Sequence, residues 1–282
     1  MSIQFSSVIP AQTRDDGRNF SVKSIDLDTL GVRASPVAVL DDFLVRGQPF
    51  APHPHAGFSA VTYVLEDSPT GLRSRDSLGH DVVVGPGGIV WTQAGRGMMH
   101  EELPAEPDRA LHGVQIFVNL SATNKLAAPQ LLQLANDAVE EWRNDAGDRV
   151  RIVVGSYSGI VSPLVPAEPF DLLDVHLQRE ITYSLREGHN AVVYVLAGAV
   201  AVGADGRQQA VSTEHAMALT GEGSVRITAT PAAHLLVLSG AEICEPVVVD
   251  GPFIMNEAAQ IKAALTRYRA GDMGRLAPAS AA

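Results

Sequence analysis

Two short phrases hold the residues best suited to chemistry in this chain: His53-Pro54-His55 and, beyond a Gly/Pro-rich turn, His100-Glu101-Glu102. On an extended strand alternate side chains share a face, so His53 and His55 make one pincer and His100 and Glu102 a second. If the two segments lie on neighbouring strands of a barrel, all four groups converge inside its mouth, where barrels hold small ligands. Three neutral imidazoles and one carboxylate form a ligand set for a single divalent metal ion. Fe(II) is the first choice, with Mn, Co, Ni, Cu or Zn using the same donors, because ligand type alone separates these ions poorly. Four protein ligands on an octahedral ion leave open positions for dioxygen or a chelating substrate, whereas a closed tetrahedral zinc site leaves none. Cys244 is the only cysteine. It excludes an internal disulfide and a thiolate-rich zinc site, and points to a reducing compartment.

The elements that must position these groups read as short strands. From Phe58 to Leu120, apolar runs rich in Val, Ile and Thr are broken by Asp67-Ser68-Pro69, Ser77-Leu78-Gly79-His80, Gly85-Pro86-Gly87-Gly88 and Gly95-Arg96-Gly97. Such turn spacing predicts a β-sandwich or barrel rather than βαβ units. Between Leu126 and Arg143, Leu131, Leu132, Leu134, Ala135, Ala138, Val139 and Trp142 recur at helical spacing before Gly147, which predicts a helical linker over 126–147. Strand-like text resumes at Arg149 and runs to Val249. Tyr63-Val64-Leu65 returns as Tyr194-Val195-Leu196, an offset of 131 (194 − 63). The same offset carries His53 and His55 onto Ser184 and Arg186, so the second copy lacks the pincer. Glu257 to Arg269 places Ala258, Ile261, Ala264, Leu265 and Tyr268 along one face of a closing helix. The small-residue tail Ala277 to Ala282 is expected to be disordered.

The chain thus reads as all-β: a metal-binding barrel over 1–125, the linker, and a second barrel over 148–282 that lacks metal ligands and carries the closing helix and tail. Its 282 residues suit two such domains. A net charge of −11 without a Lys/Arg cluster disfavours direct binding of nucleic acid. No apolar run approaches the roughly 18 to 20 residues of a membrane span, and residues 1–14 lack the pattern of a signal peptide, so a cytoplasmic protein is expected.

Other residues are read against this frame. Glu101, between the two candidate ligands, is expected to face away as a solvated charge. Asp76 reads as a turn cap beside Ser77 and Gly79, with support of the site as the alternative. Gln115 either faces the pocket or holds a hydrogen-bonded core position. Phe58, Trp91, Met98, Met99 and Phe117 could wall the pocket for a flat aromatic ligand or simply pack the barrel. Arg96, between two glycines, invites a functional role, with a salt bridge or hydrogen bonds to carbonyls as the alternative. His80, His112, His176, His189, His215 and His234 read as surface or packing residues and are assigned no role.

With these residues in hand, the chain resembles the pirin family of the cupin superfamily. The resemblance rests on His53-Pro54-His55-Ala56-Gly57-Phe58, on Arg75-Asp76-Ser77-Leu78-Gly79, and on Gly85-Pro86-Gly87 leading through Trp91 to Ala94-Gly95-Arg96-Gly97-Met98-Met99-His100-Glu101-Glu102-Leu103-Pro104. Gly113 to Leu120 and Gly251-Pro252-Phe253-Ile254-Met255-Asn256 support it. It implies a bicupin whose N-terminal barrel binds one Fe ion through His53, His55, His100 and Glu102. It also implies two classes of function. One is a quercetin 2,3-dioxygenase-type enzyme that uses dioxygen to cleave a flavonol-like aromatic substrate; in that case we expect Glu102 to take the substrate's hydroxyl proton as catalytic base while staying at or near the ion. The other is a non-catalytic, iron-dependent co-regulator that acts through a protein partner. The chain departs from relatives at Ala56, where many carry arginine, and at Ser74, near which many carry histidine; both changes spare the ligands and could alter the charge at the site's mouth.

Overall fold

The computed structural model describes residues 2–30, 34–48 and 50–279. The chain divides into two compact units, each assembled from distant stretches: Arg14–Val22, Leu40–Asn136 and Ile243–Ala282 in one, Met1–Thr13, Lys23–Val39 and Asp137–Glu242 in the other.

In the first unit, β-branched and aromatic runs form two sheets. One places the strands Ile89–Gln93, Phe58–Val64, Leu111–Asn119 and Val37–Val45 side by side in that order, and the other orders His53–His55, Met98–Pro104, Leu72–Asp76 and Asp81–Val84. Pairing is antiparallel, with His100 opposite both His53 and Asp76, and Glu102 opposite Ser74. Val64, Leu72, Val84, Val90 and Leu111 share a core. The Gly85-to-Gly88 turn is tied back to Val64 by hydrogen bonds through Gly87 and Gly88.

The second unit is built on two long strands, His189–Ala204 and Gly223–Ala241. Leu173, Val175, Leu177, Val193, Val195, Leu235 and Val237 fill its interior at alternate positions, with Tyr183 and Met217 among them. Tyr63 lies between Ile89 and Val114, and Tyr194 between Ala216 and Leu236. The repeated Tyr-Val-Leu phrase therefore marks a central strand in both barrels.

Three expectations need correction. Residues 126–147 hold no helix longer than a short 3-10 turn, Asn136–Ala138; the strands Gln130–Leu134 and Glu140–Arg143 flank it. Each adds to an open sheet edge, the first beside Ile89–Gln93 and the second beside Arg149–Val154. Unpaired edge backbone outweighed the helical pattern, and Leu131 still packs on the first core. The domain limits also differ, because the termini cross over. Gln4–Phe5 pairs with Leu219 and Thr220 in the second unit. The helix Ala258–Ala270 belongs to the first unit, where Ile261 and Ala264 bury against Ala56 and Phe253 while Ala258 and Tyr268 stay exposed. Its capping box at Glu257 and left-handed Gly271 close the two ends. Finally, the tail is anchored as far as Ala279, whose N–H donates to Glu101; residues 280–282 lie outside the described residues. Among the described residues no helix is long and apolar enough to cross a membrane.

Candidate metal centre

Among the described residues His53–His55 is an edge strand paired with Met98–His100, a place where a proline is tolerated. Its exit is held from the C-terminal segment. The Ala56 N–H donates to the Pro252 carbonyl at 3.3 Å, and the Ile254 N–H donates to the Ala56 carbonyl at 3.0 Å. Gly57 then turns with φ +84°, and a Cβ there would fall 1.9 Å from the Ile254 carbonyl oxygen, so no other residue fits. The fully buried Lys125 ties the same corner by donating to the carbonyls of Gly57 and Ile254 and to Asn119.

The three predicted imidazoles meet. Ring centroids lie 4.8 Å apart for His53 and His55, and 4.6 Å for each of the other two pairs. One ligating nitrogen from each falls within 4.8 Å of the others. His53 Nδ1 donates to the Ala51 carbonyl at 2.9 Å, which leaves its Nε2 lone pair free. That atom lies 3.1 Å from His100 Nε2. Two nitrogens 3.1 Å apart could both reach a single ion. Burial, reinforced by the neighbouring His53, pushes His55 down to about 3. Burial and the other two rings hold His100 well below the ordinary histidine value. Both rings are therefore neutral and available as ligands.

Glu102 lines the same cavity but stands outside the three-histidine cluster. Its Oε2 accepts a 2.6 Å bond from Thr62 Oγ1 on the facing sheet, and its buried Oε1 has no partner. Burial, opposed by the Thr62 bond, raises the carboxyl to about 7. An orphaned carboxylate oxygen lining the same cavity as three imidazoles is a donor set that a divalent cation would satisfy. Gln115 takes both roles expected of it, lining the cavity while its Nε2 donates to the Val61 carbonyl.

The cavity beside these groups measures about 420 Å3 and is walled by Phe20, Phe43, Phe50, Phe117, Leu72 and Leu111; among the described residues Asp41 is its one other acidic lining group, and no lysine or arginine lines it. Of the five wall candidates only Phe117 lines it; Phe58 packs against His55 and Phe117, and Trp91, Met98 and Met99 are buried elsewhere. Sequence reasoning missed Phe20, Phe43 and Phe50. Asp41, Phe43 and Val45 do share one strand face, a signal that was available.

Glu101 does face away from Glu102 but is fully buried, not solvated. It pairs with Arg75 at 2.8 Å and also accepts from Gln48 and from Ala279, because the tail covers it. Asp76 caps its turn, accepting from the Leu78 and His80 N–H groups and from the His80 ring. Arg96 contributes a carbonyl to Arg267 rather than a group to the site. Ala56 is buried in the helix contact and so puts no charge at the mouth; Ser74 is buried opposite Glu102. His112 pairs with Asp42 and Asp67. His176 and His234, assigned no role from the sequence, gather around Asp174.

Comparison with known proteins places this arrangement in context. The family model described as "Pirin" matches residues 4–118, and that described as "Pirin C-terminal cupin domain" matches 172–274. Human pirin is 33% identical over 241 residues, covering 83% of this chain and 81% of that one. A pirin-like protein from Caulobacter vibrioides is 32% identical over 226 residues, covering 79% of each. Among solved structures, a quercetin 2,3-dioxygenase from Acinetobacter baumannii superposes with a TM-score of 0.84 at 26% identity, covering 97% of this chain and 99% of that one. A bacterial pirin from Escherichia coli, solved in complex with nickel(II), shares the fold with a TM-score of 0.64 at 21% identity, covering 86% and 100%.

Proposed function

Because this chain belongs to the pirin family, we propose that it is a metal-dependent dioxygenase of the quercetin 2,3-dioxygenase type, cleaving the ring of a neutral, flavonol-like substrate. The observation that carries the reading is the meeting of His53, His55 and His100, with Glu102 lining the same phenylalanine-walled cavity. A resident divalent ion, for which we propose Fe(II), supplies Lewis acidity and coordination positions for oxygen donors.

The protein's part is positioning and proton transfer. Phe20, Phe43, Phe50 and Phe117 present flat apolar surface that suits an aromatic ligand and excludes water. With no lysine or arginine among the described lining residues and Asp41 among them, the cavity disfavours carboxylated or sulfated substrates. Glu102, at or beside the ion, is the acceptor for a substrate hydroxyl proton, its Oε1 having no partner within the protein. Thr62 holds the other oxygen and so fixes the direction of the acceptor. Removal of that proton makes the ring a better electron donor to oxygen, and the apolar walls protect the reacting species from water.

The test is oxygen uptake by iron-reconstituted protein with quercetin and simpler catechols, alongside His100→Ala. Uptake with the flavonol that is lost in the variant supports the reading. No uptake across the panel, or uptake unchanged in His100→Ala, refutes it.

A further inference from the structure

The strand Phe170–Leu177 lies antiparallel to Gly223–Ala241, with His176 directly opposite His234. Leu173, Val175, Leu177, Leu235 and Val237 fill the barrel interior, so Asp174, His176 and His234 project from the outer face of these two strands. We propose that Asp174, His176 and His234 form a second divalent-metal site, suited to zinc, on the outside of the second barrel.

The geometry is that of a prepared donor set. The two imidazole rings stack with centroids 4.0 Å apart and planes 17° from parallel. Both direct Nε2 at one carboxylate oxygen, Asp174 Oδ1, at 2.6 Å from His234 and 3.4 Å from His176. The other oxygen, Oδ2, lies 3.6 Å from the Arg151 guanidinium, which Glu141 holds in turn at 3.3 Å. Arg151 thus orients the carboxylate and leaves Oδ1 for the histidines, as outer partners do around metal ligands. Burial pushes the Asp174 carboxyl up, but its bonds from His176 and His234 outweigh this and hold it below the ordinary carboxylate range, so it is ionised and ready to ligate. The two side chains are accessible, at 30% exposure for His176 and 24% for His234. Two imidazoles and a carboxylate suit Zn(II) and its first-row neighbours, with water completing the shell. The entering ion displaces the proton that His234 shares with Asp174 and links the two strands.

This site is separate from the first in residues and barrel, so either can fail without the other. The experiment is zinc titration of the metal-stripped full-length chain, with bound metal counted after equilibrium dialysis. Wild type should hold about two ions, His55→Ala/His100→Ala about one, and the same background with His234→Ala or His176→Ala none. In otherwise intact protein, Asp174→Asn should lower the count by about one. Zinc should also slow amide exchange in 170–177 and in the facing half of 223–241 of the wild type, a readout that does not depend on any variant folding. A count unchanged by His234→Ala and by Asp174→Asn, or no added protection in those strands, would overturn the proposal.

Discussion

Replacing Glu102 by glutamine should make the metal-free protein more stable at alkaline pH while weakening its grip on metal. In the metal-free protein the Glu102 carboxyl is raised from 4.5 to about 7, chiefly by burial. Its contribution to stability is therefore complete below 4.5 and is lost as pH rises through 7, since the unfolded chain ionises the group first. At about 1.4 kcal/mol per tenfold, the loss is roughly 3 kcal/mol at pH 8 and roughly 1 kcal/mol at pH 5. Glutamine keeps the shape and can still accept from Thr62, yet never ionises. Metal-free Glu102→Gln should then exceed the wild type by about 3 kcal/mol at pH 8, with the gap closing towards about 1 kcal/mol at pH 5. Urea denaturation followed by Trp91 fluorescence in a Trp142→Phe background reports on the barrel concerned. The same linkage makes metal uptake by the wild type release about one proton below pH 7 and none well above it, which calorimetry in buffers of different ionisation enthalpy would measure. A metal-free variant less stable than wild type at pH 8, or a gap independent of pH, would refute the reasoning.

Other perturbations follow from the same contacts. Gly57→Ala forces a Cβ to within 1.9 Å of the Ile254 carbonyl and should cost more than about 3 kcal/mol and lower metal occupancy, read by thermal denaturation and metal analysis. Lys125→Met deprives three acceptors of their donor and should destabilise by about 3 kcal/mol or more, even though it removes a buried charge. Glu101→Ala leaves Arg75 without its short partner and releases the tail at Ala279; limited proteolysis should cut the C-terminus faster, with Glu101→Gln intermediate. Phe117→Ala should raise the KM for a flavonol by about tenfold without changing metal occupancy, since it removes an aromatic contact worth about 1 kcal/mol together with buried area.

Two features were legible in the residues themselves. Side-chain alternation is a local property of an extended chain, so His-x-His and His-x-Glu spacings already placed each pair on one face. Turn glycines and β-branched runs likewise specified strands and two similar barrels, because φ/ψ preference and period are carried by the residues alone. What pairs with what was decided by the folded chain. Nothing in Leu131, Leu132 and Leu134 says that a sheet edge waits beside Ile89–Gln93 and will take them as a strand. The burial of Glu101 and the rigidity of the corner at Ala56 and Gly57 depend on residues about 180 and 200 positions downstream, at Ala279 and Ile254. Glu102 was identifiable as an acidic neighbour of His100, but its weakened acidity comes from burial in the folded barrel, against which the Thr62 bond from the facing sheet works. His234 meets Asp174 and His176 only through the register of two strands 58 residues apart, as counted between the two histidines (234 − 176). Local pattern therefore determined the donor types and their facing, whereas burial, charge state and long-range register are properties of the assembled fold.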